Sequence, residues 1–541
     1  MSGTAGAGAP SAGAHERGQM ARRAGTVAAG TLASRVLGAV RDSVIAASFP
    51  VAATDAFFVA FTIPNALRSL LGEGAVGSAF VPVYAEVRAA SGDARARAFY
   101  AGLSGVMIAI LAGVTALGVV FAAPVVTAYA AGYRAQDPEK FDLTIALTRI
   151  VFPYIFFMGL AALGMGVLNA HRRFFVPAFA PALLNVAQIA APFVLVAPAV
   201  ALGLDPVASL ALGALAGGVL QVLAQFPALR AEGLLQRPRW GLGDPYVRKA
   251  LRLLGPLLVG LGIYQLNLIL SRQFASFLPE GSQSYLYYGS RVVDIPQGVF
   301  ALAVASAAIP SLADLRSRGE HLEVKRTFTY ALRLSLFVAL PATVLLVLLA
   351  EPTAAVLFGR GDFDHRHVVE TGRSLAWQAA GVWAVSAVRI VVPMFYAYND
   401  TRTPVFCSAV NLVVFVGVAL ALMGPLAHVG LAVAITAANV AQLGALLVLL
   451  RRRSGLLGLR AVAASVARTS LACAAMAAVA APIASLGRWE RGGNDLVNVA
   501  ALAGALVAAG AVFAGAAKLL RAPELSDVVG ALARRVRPRA A

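Results

Sequence analysis

Fourteen apolar stretches, each long enough to cross a lipid bilayer, leave this chain few ways to fold. In hydrocarbon every backbone N–H and C=O must find a partner inside the protein, and a helix meets that demand within its own segment. Crossing a ~30 Å core takes about 17–25 helical residues. The stretches run approximately over 26–47, 55–85, 98–122, 144–169, 176–201, 206–229, 250–278, 283–313, 327–350, 371–397, 404–423, 428–450, 461–486 and 496–520. The second and eighth carry Pro64 and Pro296, which each remove a helical hydrogen bond and are expected to kink or break their helices. With 59% hydrophobic and 13% charged residues, the chain is far too apolar for a soluble domain, where about 25% are charged. The expected fold class is an all-α polytopic membrane protein of about 14 transmembrane helices.

A net charge of +19 would suggest nucleic acid in a soluble protein, but the placement of the basic residues argues for topology instead. Lys and Arg collect in cytoplasmic loops. With the N-terminus inside, 28 of the 45 basic residues fall in cytoplasmic segments, 6 on the opposite side and 11 within spans. Both termini are therefore expected to be cytoplasmic, and no nucleic-acid partner is expected. Residues 1–25 lack the continuous apolar region of a signal peptide and read as a disordered cytoplasmic tail. Residues 522–541 read as a cytoplasmic basic tail. Cys407 and Cys473 sit in apolar runs without metal-ligand spacing and read as packed thiols.

The chain repeats itself at an offset of 227 or 228 residues. Pro82 and Pro124 recur as Pro310 and Pro352, the segment 79–86 echoes 307–314, and Asn169-Ala170 through Phe179 matches Tyr396-Ala397 through Phe406. Two six-helix lobes follow, an N-lobe over 26–230 and a C-lobe over 246–451, with two extra C-terminal helices over 460–521. Six is even, so the lobes share an orientation and are related by a pseudo-two-fold along the membrane normal, as in transporters that rock two halves around a midplane site.

Charges inside the spans are the candidate functional groups. Each costs at least ~2.5–3.5 kcal/mol at the bilayer centre, so such residues face a bundle interior or a watery cavity. Within Ser34–Glu86 these are Arg35, Arg41, Asp42, Asp55, Arg68 and Glu73. Arg35 and Asp42, seven residues apart, lie on nearly the same helix face, with Arg41 on another. The bland alternatives are arginines that snorkel to headgroups, an Asp55 that serves its own helix start, and an Arg68 and Glu73 that neutralise each other. Gly72, Gly74 and Gly77 permit close approach or an unwound turn there. In the eighth span Arg291 and Asp294 are three residues apart and could pair. Arg272 and Arg389 are further deep candidates, whereas Tyr285, Tyr287 and Tyr288 read as an interfacial aromatic belt.

The runs SRVLGAVRD, TDAFFVAFTIPNALRSLLGEGAVGSAFVPVYAE and YYGSRVVDIPQGVFALAVASAAIPSL, with NDTRTP at 399–404, resemble the MurJ (MviN) family of lipid II flippases, within the multidrug/oligosaccharidyl-lipid/polysaccharide exporter superfamily. The similarity covers about 27–520. It implies a transporter rather than an enzyme, without cofactor or metal, in a bacterial cytoplasmic (inner) membrane. By that resemblance Arg35, Arg41, Arg68 and Arg291 bind the diphosphate and headgroup of lipid II, Asp42, Asp55, Glu73 and Asp294 are gating or cavity acids, and the last two helices form a groove for the lipid tail. Membrane lipids are partners, a monomer is expected, and contacts with cell-wall synthesis or division proteins stay open. Some relatives bind sodium through carboxylates on helices 7, 11 and 12. Here those helices offer Gln265, Asn267, Asn411, Thr436 and Asn439, all neutral, which puts a sodium-coupled cycle in doubt. An exporter of another lipid-linked glycan, a drug antiporter and a non-transporting scaffold of the cell-wall machinery are the competing readings. A membrane-embedded enzyme lacks any metal, phosphate-loop or nucleophile motif.

Overall fold

The computed structural model describes residues 12–68, 76–297, 314–316, 318–455 and 458–536. Among the described residues every regular element is a helix. The chain passes in order through α1 (Ala12–Ser48), α2 (Val51–Arg68), α3 (Val76–Val120), α4 (Ala122–Gln136), α5 (Pro138–Val151), α6 (Tyr154–Ala170) and α7 (Phe175–Val194). Then come α8 (Val196–Ala201), α9 (Ala208–Leu223), α10 (Phe226–Ala231), α11 (Pro245–Ala275), α12 (Ser282–Pro296) and α13 (His321–Leu348). The remainder is α14 (Ala350–Phe358), α15 (His365–Ala379), α16 (Val382–Ala397), α17 (Arg402–Ser454), α18 (Leu459–Ala484), α19 (Leu496–Leu519) and α20 (Pro523–Val536).

Nine helical segments among the described residues are long and apolar enough to cross a membrane. Several hold more than one expected span or join two helices into one. α17, with 53 residues, would extend about 80 Å if straight. It breaks instead at Ala427 (φ 47°, ψ −131°), between the eleventh and twelfth spans. α3 breaks likewise at Gly92 (φ 78°), separating the second span from the third. The expected loop between those two spans is thus helical on both sides of a single glycine, whose missing Cβ admits the left-handed φ. α2 runs through Pro64 as far as Arg68. The eighth span opens as α12 and continues outside the described residues, as do Pro310 and the echo at 307–314.

The internal repeat is written into the backbone. α3 and α13 end at Val120 and Leu348, and α4 and α14 start at Ala122 and Ala350, with Pro124 and Pro352 at their third positions. The turn after α6 and the turn after α16 make the same three bonds: His171, Arg172 and Arg173 donate to the carbonyls of Val167, Asn169 and Leu168, while Tyr398, Asn399 and Asp400 donate to those of Met394, Tyr396 and Phe395. Arg172 (φ 60°) and Asn399 (φ 56°) occupy the same left-handed position in the two turns.

The helices gather into two compact units. The first holds the described residues of Met1–Ile45, Val59–Ala128 and Glu139–Leu266. In it α6 packs on α3 and α9, and α7 on α9. Small residues set the approach: a Cβ on Gly217 would lie 2.8 Å from the Leu184 Cα. The second unit holds Ala46–Phe58, Tyr129–Pro138 and the described residues of Asn267–Ala541. There α13 is the hub, packed by α16 and α18, and α18 pairs along its length with α19. Phe328, Leu332, Met394, Phe395, Cys407 and Leu446 belong to one buried core of this unit. Both cysteines are buried free thiols.

Helix extends into both expected tails. Residues 12–25, read as disordered, are the first turns of α1, because a spanning helix already nucleated adds residues at one hydrogen bond each. Residues 523–536, read as a basic tail, form α20, with Pro523 at its first position and Glu524 in its first turn, where each favours a helix start. Leu525 and Val528 pack against Phe337, Phe513 and Ala517.

Candidate functional site

The candidate residues divide between the two units. Arg35, Arg41, Asp42 and Arg68 belong to the first, and Asp55, Arg291 and Asp294 to the second. Glu73, with Gly72 and Gly74, lies outside the described residues.

In the first unit Arg35 is half-buried on α1. One helical step short of two turns later, Arg41 and Asp42 are buried together. Arg41 donates from Nε (2.9 Å) and Nη2 (2.6 Å) to Oδ1 of Asp42. Its Nη1 donates to Oδ1 of Asn185 at 3.1 Å and to Oε1 of Gln188 at 3.3 Å, both on α7. Asn185 in turn donates from Nδ2 to the Ser34 carbonyl at 2.8 Å. A guanidinium out of water needs its donors filled, and one carboxylate with two amide oxygens does so at zero net charge. The helix-face argument separated Arg41 from Asp42, yet the long arginine side chain wraps back to its neighbour. At the end of α2 Arg68 donates to Asn65 Oδ1 at 2.9 Å.

In the second unit Asp55 is fully buried and does not serve its own helix start, which lies at Val51. Its carboxylate caps α12 instead, accepting from Gly281 N (2.8 Å), Ser284 N (2.8 Å) and Ser284 Oγ (2.7 Å). A buried anion at a helix N-terminus receives the orphan amides and the favourable end of the helix dipole. Thr54 adds a hydroxyl contact to Ser284 Oγ at 3.0 Å. α12 is the helix that carries Arg291, so the cap fixes the base on which that arginine stands.

Arg291 lies 4.8 Å from the ring centre of Tyr287 and 3.7 Å from Asp294, the carboxylate being largely exposed. The expectation of an aromatic belt is overturned: Tyr285, Tyr287 and Tyr288 are all buried. Tyr287 stacks on Phe58 with ring centres 3.8 Å apart, and Tyr288 packs on Phe358 and Phe363. Tyr285 bonds His367 at 2.7 Å. Belt residues need one wet edge, and this face of α12 is covered by α15. Arg272 is bound to Gln283 through its side chain and carbonyl, and Arg389 reaches the Gln297 carbonyl at 3.0 Å, so both act as clasps within the unit.

The neutral residues of the seventh, eleventh and twelfth spans form an amide chain. Asn267 donates to Asn411, which donates to Asn439 and Gln442, while Thr436 is turned to the Trp377 carbonyl. These amides bond one another in a chain, and no carboxylate stands among these five residues.

The turn after α6 joins a Tyr84–His171–Glu232 chain, with Tyr84 Oη 2.7 Å from His171 Nε2 and His171 Nδ1 3.3 Å from Glu232. Burial holds the His171 pKa below its ordinary value, and the Arg173 hydrogen bond does the same for the Glu232 carboxyl. The matching turn of the repeat bonds Asp400 to Thr403 and pairs it with Arg453. Those bonds from Thr403 lower the Asp400 pKa. The sequence reading missed Asn185 and Gln188, although two amides three residues apart in an apolar span were the available signal.

A family model described as lipid II flippase MurJ matches residues 45–492. The chain belongs to the MurJ family. Among MurJ relatives, the probable lipid II flippase MurJ of Bdellovibrio bacteriovorus is 36% identical over 75% of this chain and 77% of its own length. The lipid II flippase MurJ of Burkholderia cenocepacia is 38% identical over 70% of this chain and 74% of its own. A solved lipid II flippase MurJ in an inward closed conformation shares the fold, with TM-score 0.74 at 22% identity over 93% of this chain and 99% of that one. An inward-facing MATE family transporter of the MOP superfamily follows at TM-score 0.63 and 17% identity, covering 78% and 95%.

Proposed function

We propose that this protein flips lipid II, the undecaprenyl-diphosphate-linked peptidoglycan precursor, from the cytoplasmic to the periplasmic leaflet of a bacterial inner membrane, for peptidoglycan synthesis. The observation that carries this is membership of the MurJ family over residues 45–492. The protein is a transporter and makes or breaks no covalent bond in its cargo. Transport proceeds by alternating access. Arg35, Arg41, Arg68 and Arg291 receive the diphosphate, a task that suits the planar, permanently charged guanidinium. Asp42, Asp55, Glu73 and Asp294 balance those charges while the cavity is empty of anion. α18 and α19, with Leu471, Leu496, Val507 and Leu519 exposed, offer an apolar face to the polyprenyl tail. Both termini are cytoplasmic, in accord with the 28-to-6 division of basic residues. An inside-negative potential supplies about 2.3 kcal/mol per unit charge per 100 mV to anion export.

The test is lipid II accumulation in the cytoplasmic leaflet of cells depleted of the protein and complemented at matched expression. Wild type should clear the lipid, and Arg41→Ala and Arg291→Ala should not. Equal clearance by all three would make the arginines structural. Failure of wild type would mean a different lipid cargo.

A further inference from the structure

The arginine most deeply built into the first unit is held by residues to which nothing so far assigns a role. Arg41 has two edges. The Nε/Nη2 edge, the one that grips an anion in a two-bond fork, is taken by a single carboxylate oxygen of Asp42. The Nη1 corner is taken by the side-chain oxygens of Asn185 and Gln188. These two amides differ from Asp42 in kind. They are neutral, sit one turn apart on α7, and are buried at 6% and 1% exposure. A diphosphate that takes the fork edge from Asp42 engages Nε and Nη2, and leaves Nη1 on the other corner to the two amide oxygens. Asn185 is tied back by its own Nδ2–H to the Ser34 carbonyl, so its oxygen is aimed by α1 as well as α7. Asn185 lies beside Gly38 of α1, where a Cβ would stand 3.8 Å from its Nδ2, an ordinary contact. Arginine has no acceptor, so Gln188 must turn its oxygen to Arg41, which leaves its Nε2 buried without a hydrogen-bond partner among the described residues. An unmade buried donor is costly, and here it accompanies the bond from Arg41 to the Gln188 oxygen. Pro192 sits four residues beyond Gln188 and removes the N–H that would bond the Gln188 carbonyl, so α7 can flex at this anchor.

We propose that Asn185 and Gln188 are positioning residues for diphosphate binding: they hold the Nη1 corner of Arg41 so that its fork edge, occupied by Asp42 in this state, is presented for exchange with phosphate oxygens. The inference rests on the reading of Arg41 as a diphosphate ligand. It adds that Asp42 is the internal anion that the cargo replaces, and that α7, not only α1, sets the geometry of capture.

The test uses the full-length protein in nanodiscs, with farnesyl diphosphate as a soluble isoprenyl diphosphate probe. Gln188→Leu and Asn185→Leu should each weaken binding roughly ten- to a hundredfold, the scale of one lost hydrogen bond to a charged group. Gln188→Met keeps the volume and serves where leucine does not fold. In an Arg41→Met background the same changes should cost nothing further, since the group they position is gone. Asp42→Asn should bind more tightly than wild type. A purely structural role would lower the thermal midpoint while leaving the affinity of the folded fraction unchanged, and that result overturns the proposal. So would an equal loss in the Arg41→Met background, no gain from Asp42→Asn, or no Arg41-dependent binding at all. Lipid II transport by wild type in vesicles is measured alongside. If it fails while Arg41-dependent binding persists and is weakened by the amide variants, the cargo assignment falls and the positioning role stands. If transport succeeds and the amide variants bind normally, the positioning role falls alone.

Discussion

Asp55 shows what a single side chain decides in this protein. Three donors converge on its carboxylate at the start of α12, and the carboxylate is out of water. Asp55→Ala leaves those donors unmade, and the expected loss is about 2 kcal/mol, from a cap worth ~0.5–2 and the greater strength of hydrogen bonds to a charged acceptor. Thermal unfolding in detergent should place Asp55→Asn between wild type and Asp55→Ala, since the amide keeps one acceptor but loses the charge; equal midpoints for all three would show that the cap does not hold α12. The sequence made Asp55 conspicuous as an acid in a span. It did not say whose helix it serves, because the donors lie 226 and 229 residues away.

At the scale of elements, two junctions carry predictions. The turn between α6 and α7 depends on a neutral His171 and an ionised Glu232. The His171 pKa is depressed from its ordinary 6.5, so the unfolded turn binds more protons than the folded one below that value; the contribution is complete above pH 6.5 and is lost as pH falls. Glu232 is depressed from its ordinary 4.5 and loses its contribution lower still, with the same sign. Hydrogen exchange over 168–175, corrected for intrinsic rates, should therefore quicken on going from about pH 7.5 to about pH 5.5, and His171→Gln should flatten that change. The second junction is α20. Glu524 bonds Arg333 at 2.6 Å and Ser465 Oγ at 2.7 Å, fastening the helix to α13 and α18. Glu524→Ala strands a partly buried arginine, and exchange at 523–530 should rise about tenfold, equivalent to ~1.4 kcal/mol; an unchanged rate would mean that Leu525 and Val528 alone hold the helix. Composition marked residues 522–541 as a cytoplasmic basic tail. The docking of α20 was hidden because Phe337, Arg333 and Ser465, which receive it, lie far back along the chain.

For the whole molecule the first prediction is topological. Both native cysteines are buried, so cysteines introduced at Ser2, Asp205 and Ala541 can be probed with an impermeant maleimide on little background. Asp205→Cys should label from outside intact cells, and Ser2→Cys and Ala541→Cys only after permeabilisation; labelling of either terminus from outside would reverse the orientation. Much of this architecture was present in the sequence by itself. Hydrophobic length marked the spans and the offset of about 227 marked the repeat, down to matched turns at Arg172 and Asn399. These are legible because a bilayer forces each segment to satisfy its own backbone, which makes span formation a local property of the chain. Only the tertiary structure decided how the charges within those spans are satisfied. Arg41 finds acceptors 144 and 147 residues away, and Tyr287 stacks on Phe58 rather than facing the interface. A buried charge or polar ring takes whatever partner packing brings within about 3–4 Å, and no pattern local to α1 or α12 encodes which residue that is.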